Sequence, residues 1–184
     1  MEIDINQKKI SIGDKYQIFI DGQQKHSASS KLFRLLPEIE LYELDSDFPR
    51  MRINKRFNLI TAKYDITTHD VKVYEFRTKS FWKGHFQCIC DADIYDIYVH
   101  RGLKYSVYKN DLQVAWWTKH AVSWFSGDNY KIIADRNCDY NLLISFCLII
   151  DNYRSEGNKK AINIDIGRIG PQAKKFDLNW HPKY

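Results

Sequence analysis

Residues 142–150 read LLISFCLII, a run in which only Ser145 is polar. As a helix it is about 14 Å long at roughly 1.5 Å per residue, whereas a bilayer core needs roughly 20 apolar residues. The run is too short to span a membrane by itself. Asp139, just before it, is a good N-cap. Leu, Phe and Cys are mixed with Ile and no turn residue breaks the run, so helix is preferred over strand. A surface helix would show one apolar stripe; this segment is apolar all round and must be buried on every side. Burying its side chains contributes on the order of 12 to 24 kcal/mol before entropy.

What surrounds the helix reads as β-structure. Turn signals recur at Gly13-Asp14, Asp21-Gly22, Arg101-Gly102, Asn110-Asp111 and Gly127-Asp128. Between them, Tyr16, Ile18 and Ile20 share one face, and Leu103, Tyr105 and Val107 another. Tyr95, Ile97 and Val99 alternate with Asp96 and Tyr98, and Leu112, Val114 and Trp116 with Gln113, Ala115 and Trp117. Close turns between alternating runs mean antiparallel hairpins. Less regular strands are expected at 39–44, 56–66, 71–76 and 86–91, and 27–36 fits either a strand or a helical turn. A sandwich has nowhere to put an all-apolar helix; a barrel threaded by it does.

Past Arg154 the chain turns polar, and Gly157 is expected to stop the helix. Ile162, Ile164 and Ile166 alternate as one more strand, and Phe176 and Trp180 are expected to pin an irregular tail. The reading is thus a single domain, 1–184, with a central helix at about 139–153 and a C-terminal strand and tail over 155–184.

With 184 residues, 44% apolar and 28% charged, the chain can bury a sizeable core without disulfide staples. Aromatic residues reach 15% and fit half-buried pleated surfaces. The net charge of +5 permits attraction to phosphates or anionic lipid but falls short of a dedicated nucleic-acid binder. Cys88, Cys90, Cys138 and Cys147 lie in or beside apolar runs, and the polar start MEIDINQKKISIG lacks the apolar core of a signal peptide. A cytoplasmic location, peripheral to a membrane if lipid is bound, is the expectation.

Two stretches, YDIYVHRGLKYSVYKNDLQVAWW (95–117) and NYKIIADRNCDYNLLISFCLIIDNYR (129–154), set out hairpins, the strand Tyr130 to Ile133, the acidic link Asp139 and a hydrophobic helix ending in Asp151. That order resembles the superfamily of tubby C-terminal domains, LURP-one-related proteins and phospholipid scramblases. The likeness rests on these residues in the C-terminal half and on strand pattern alone in the N-terminal half. It implies a closed antiparallel β-barrel of about twelve strands enclosing the helix. It also implies lipid association, since tubby proteins bind phosphoinositide head groups and scramblase-like members are lipid-associated. The proline-rich arm and acylated cysteine cluster of scramblases have no counterpart here, nor does tubby's basic pocket. Function must therefore come from a site.

The densest basic segment, PRMRINKR, holds Arg50, Arg52, Lys55 and Arg56; on a hairpin, Arg50 and Arg52 project from one face and could grip a phosphate. Arg77, Lys79 and Lys83 flank Phe81 and Trp82, a pairing suited to a membrane interface. His85 with Cys88 and Cys90 does not make a zinc site, because period-two geometry puts His85 on the opposite face. Asp91, Asp93 and Asp96 lack EF-hand spacing. No GxSxG, HExxH or Walker loop occurs, so neither an enzyme nor a cofactor is expected. Asp151 opposes the macrodipole at an expected helix C-terminus, and loop backbone N–H groups are its expected partners. Two readings follow: a non-enzymatic module for anionic lipid or a phosphate-bearing ligand, or a protein-interaction barrel using the outward member of the Trp116-Trp117 pair.

Overall fold

The computed structural model describes residues 1–10, 13–31, 36–58, 61–121, 128–159 and 172–183. Twelve strands run in chain order: β1 (Glu2–Ile10), β2 (Gly13–Ile20), β3 (Gln23–Lys31), β4 (Glu38–Glu43), β5 (Pro49–Lys55), β6 (Lys63–Thr68), β7 (Val73–Ser80), β8 (His85–Cys90), β9 (Asp93–His100), β10 (Lys104–Lys109), β11 (Leu112–Ala121) and β12 (Asp128–Ala134). Each pairs antiparallel with its sequence neighbours, and β1 closes on β12 with Ile3 opposite Ile132 and Ile5 opposite Tyr130. The result is a closed up-and-down barrel. Two of the turns that the sequence marked adopt the left-handed backbone that short hairpins need, Asp21 (φ 48°) with Gly22 (φ 81°) and Asn110 (φ 48°) with Asp111 (φ 67°), whereas Gly13 and Asp14, expected to turn, lie inside β2.

Helix α1 (Tyr140–Lys159) fills the barrel. The Asp139 carboxylate accepts hydrogen bonds from the N–H groups of Asn141 (3.0 Å) and Leu142 (3.2 Å), as an N-cap does. Positions 141–150 are all buried, and the Ser145 hydroxyl donates to the Asn141 carbonyl at 2.7 Å. Phe146 meets Phe76 (5.8 Å between centroids) and Tyr95 (5.5 Å), and Phe76 stacks on Phe86. The helix does not stop at Gly157 but runs to Lys159. The strand expected at 161–166 lies outside the described residues, as does the turn around Gly127.

Several strand bounds differ from the sequence reading. The run 56–66 is not one strand: β5 ends at Lys55 and β6 begins at Lys63, because the two pair as a hairpin and need a connection between them. Val71 sits in a turn with φ 64°, so β7 starts at Val73, and Asp91 (φ 52°) closes β8 at Cys90. The ambiguous 27–36 is strand as far as Lys31.

Successive hairpins place their turns at alternate ends of the barrel. Turns after β2, β4, β6, β8 and β10 share one end and carry Asp21, Asp45, Asp47, Asp70, Asp91 and Asp111. Those after β5, β7 and β9 share the other and carry Arg56, Lys83 and Arg101. The barrel therefore has an acidic rim and a basic rim. Helix α1 starts at the acidic rim and points its C-terminal half towards the basic one, the favourable alignment of its dipole.

The tail, 172–183, crosses the outer face of β9–β11. Phe176 packs edge-on against His100 (5.1 Å) and Trp116 (5.8 Å), and the Trp180 indole donates to the Gln113 carbonyl at 3.1 Å. Burial lowers the pKa of His100 to about 4. A free histidine titrates near 6.5, so the covered, neutral state of His100 favours tail docking fully above about pH 6.5. That contribution is lost as pH falls through 6.5 towards 4. Amide exchange along the tail should accelerate, relative to the barrel, between pH 7 and pH 4.5, and His100→Gln should remove that dependence. An equal pH response in parent and variant would show that His100 does not control docking.

Candidate functional site

Most cations of the basic segments found in the sequence have partners among the described residues. Arg50 and Arg52 do project from one exposed face of β5, but Arg50 lies 3.7 Å from Glu43 and Arg52 3.4 Å from Glu40. Arg56 meets Asp65 at 2.6 Å and Glu75 at 3.3 Å. Lys63 (3.9 Å) and Arg77 (3.6 Å) turn to the same Glu75. Arg77 and Lys79 donate to the Gln87 side-chain oxygen at 3.3 and 3.4 Å, and Lys55 also has a partner. Such exposed networks add little stability; Arg50, Arg52 and Arg56 are each held by a carboxylate, while Lys79 meets only a neutral amide. Of the sequence candidates, Lys83 alone has no partner among the described residues; it follows Trp82, whose side chain is 77% exposed.

A pair of like charges set face to face lies elsewhere. Lys8 and Lys15 are directly opposite each other on β1 and β2. Cross-strand Cβ atoms sit about 5 Å apart, so like charges there repel. Neither lysine has a carboxylate partner among the described residues. Both line a cleft of about 450 Å³ on the outer barrel face, together with Gln17, Gln24, Ser27, Ser29 and Tyr42. Cations, hydroxyls and amides of this kind are what phosphate oxygens accept hydrogen bonds from. The Tyr42 hydroxyl is turned to Glu40 at 2.9 Å, and Glu40 is in turn held by Arg52. The cleft begins at the basic rim, where Phe57 and Trp82, each 77% exposed, also lie with Lys83 and Arg101, neither of which has a partner among the described residues.

Below that rim, inside the barrel, is a buried carboxylate. Asp151 was expected at a helix end with backbone partners; instead α1 continues two turns beyond it, which removes the conflict with the dipole, and its partners are side chains of the barrel wall. It accepts hydrogen bonds from the hydroxyls of Tyr16 (3.0 Å) and Tyr130 and from the Gln7 amide (3.5 Å). Lys119 lies 3.6 Å away while bridging Asp128 at 2.5 Å. Burial, reinforced by Asp151, pushes the Tyr16 and Tyr130 hydroxyls well above the usual tyrosine range, and burial does the same to the Cys147 thiol. These tyrosines stay protonated and act as donors. The next residue, Asn152, accepts from Tyr64 at 2.9 Å, and Arg154 lies over the Tyr105 ring at 5.3 Å. Helix residues 151, 152 and 154 are thus tied to a ring of inward-facing tyrosines, an arrangement that sets the helix's depth and rotation.

Other expectations can be placed as well. Cys88 and Cys90 face the core with sulfurs 3.5 Å apart, while His85 stacks on Tyr98 outside and meets Asp96 at 2.7 Å. No group of three metal ligands occurs among the described residues. Asp91 pairs with Lys72 and Asp93 with Lys109, as turn and strand-end carboxylates do. Trp117 enters the core and stacks on Tyr105; Trp116 faces outward beneath Phe176. No helix among the described residues is long and apolar enough to cross a membrane. Comparison with protein-family models, curated proteins and solved structures finds no match for this chain.

Proposed function

We propose that this chain is a non-enzymatic barrel that binds phosphate-bearing, anionic lipid head groups at a membrane surface with its basic rim towards the bilayer. The observation that carries the reading is the Lys8–Lys15 pair: two like charges held opposite each other along a cleft, with no carboxylate partner among the described residues. An arrangement that costs stability in the free protein is relieved by an anion. Phe57 and Trp82 on the same rim expose aromatic side chains that can enter the head-group layer, and the Trp82 indole N–H adds a polar edge. The resemblance to the tubby and scramblase superfamily points the same way, and we extend the proposal to membership in it.

Vesicle co-sedimentation tests the idea. The parent should pellet with phosphatidylcholine vesicles carrying phosphoinositide, less with phosphatidylcholine alone, and progressively less as salt screens the charges. Each lysine near an anionic surface is worth about 1 kcal/mol, so Lys8→Ala/Lys15→Ala should weaken partitioning on the order of 30-fold. The same variant should melt no lower than the parent, because it removes a repulsion. Parent protein that fails to pellet with anionic vesicles at low salt, or a double variant that pellets equally well, would overturn the proposal.

A further inference from the structure

The outer face of β9–β11 carries side chains that belong to an interior. Tyr98, Ser106 and Trp116 form one cross-strand row, and His100, Lys104 and Thr118 the next. His100 and Ser106 are buried although they point away from the core, and a ring nitrogen and hydroxyl bond at 2.7 Å. The tail packs over this face. Lys174 sits over the Tyr108 ring at 3.6 Å and the Tyr98 ring at 5.6 Å, Phe176 fills the angle between His100 and Trp116 with Lys104 5.2 Å from its ring, and Trp180 reaches Gln113. Yet residues 172–183 form no strand with the sheet. Among the described residues, their backbone bonds to the barrel end are confined to Lys183, which donates to Asp135 at 2.6 Å and accepts from Arg136 at 3.2 Å.

A surface that reads side chains two and then four residues apart, with little backbone pairing, works as a site for linear peptides, where a few anchors give specificity. Uncovered, it would be an aromatic patch of the kind that marks interaction sites. We propose that the outer trough of β9–β11 is a peptide-binding site for segments of the pattern Lys-x-Phe-x-x-x-Trp, and that the chain's own tail occupies it as an intramolecular ligand. A partner peptide of this chemistry must displace a tether whose effective concentration is on the order of millimolar, so the tail sets an affinity threshold. This site is separate from the lipid-facing rim and does not depend on it.

The test uses the full chain with its anchors removed, Lys174→Ala/Phe176→Ala/Trp180→Ala, and a fluorescein-labelled peptide of residues 172–183, QAKKFDLNWHPK. Fluorescence anisotropy should show saturable binding at least tenfold tighter to the triple variant than to the parent, with single Phe176→Ala between them. Adding Trp116→Ala to the triple variant should abolish it, and a scrambled peptide should not bind. Absence of binding to the single and triple variants, equal affinity for variants and parent, or equal binding of the scrambled peptide would each overturn the proposal. The single variant decides the matter should the triple one not fold.

Discussion

Leu148→Lys should prevent the barrel from folding, and Phe146→Ala should leave it folded but much less stable. Both side chains are fully buried on α1. A lysine at 148 places an ammonium in a dry interior, and the buried carboxylate three residues on, Asp151, is already committed to two tyrosines, Gln7 and Lys119. An uncompensated buried charge costs more than a typical domain's margin of about 5 to 15 kcal/mol can absorb alongside lost packing. Phe146→Ala instead removes a ring wedged between Phe76 and Tyr95, at a cost of about 3 to 5 kcal/mol. For a chain of this size that is a fall in Tm on the order of 10 °C. Thermal melts and solubility of the two variants check both. A folded Leu148→Lys protein with an unchanged melt would mean that the helix is not enclosed.

That helix was legible because every signal agreed: a cap at Asp139, an apolar run without a polar face, and a length too short for a bilayer. The later hairpins were legible for the same reason, since Asn110-Asp111 and Arg101-Gly102 separate well-alternated strands. The N-terminal strands were harder because the barrel interior there is not uniformly apolar. On β1 the inward series is Ile3, Ile5, then Gln7; on β3 it is His26, Ala28 and Ser30, all buried. Period-two reading depends on contrast between faces, and these strands have little. The candidate site was less legible still. Arg50, Arg52 and Arg56 look like free cations along the chain because Glu43, Glu40, Asp65 and Glu75 reach them only through strand pairing. Lys8 and Lys15 look unremarkable until the register Ile10 to Gly13 sets them face to face. The pattern KKISIGDK contains that information, but only once the turn is known.

Asp151→Ala should be the other severe substitution, although it removes only a few atoms. The carboxylate is 3% exposed and accepts from Tyr16, Tyr130 and Gln7, with Lys119 beside it. Deleting it strands several donors in a site closed to bulk water, and breaking a buried charged set by removing one member costs about 3 to 5 kcal/mol. Asp151→Asn keeps the shape and one acceptor oxygen, so its cost should be smaller, about 1 to 3 kcal/mol. The two losses arise from unsatisfied groups rather than from any large net worth of the cluster. Consequently Tyr16→Phe/Tyr130→Phe/Asp151→Leu, which removes the hydroxyl donors with their acceptor and leaves Lys119 on Asp128, should recover part of the stability lost in Asp151→Ala. Urea unfolding of the three variants separates the cases. An Asp151→Ala protein within about 0.5 kcal/mol of the parent, the range of ordinary surface changes, would show that the tyrosine ring does not depend on its carboxylate. A triple variant less stable than Asp151→Ala would show that the polar network contributes stability outright, beyond positioning the helix in its barrel.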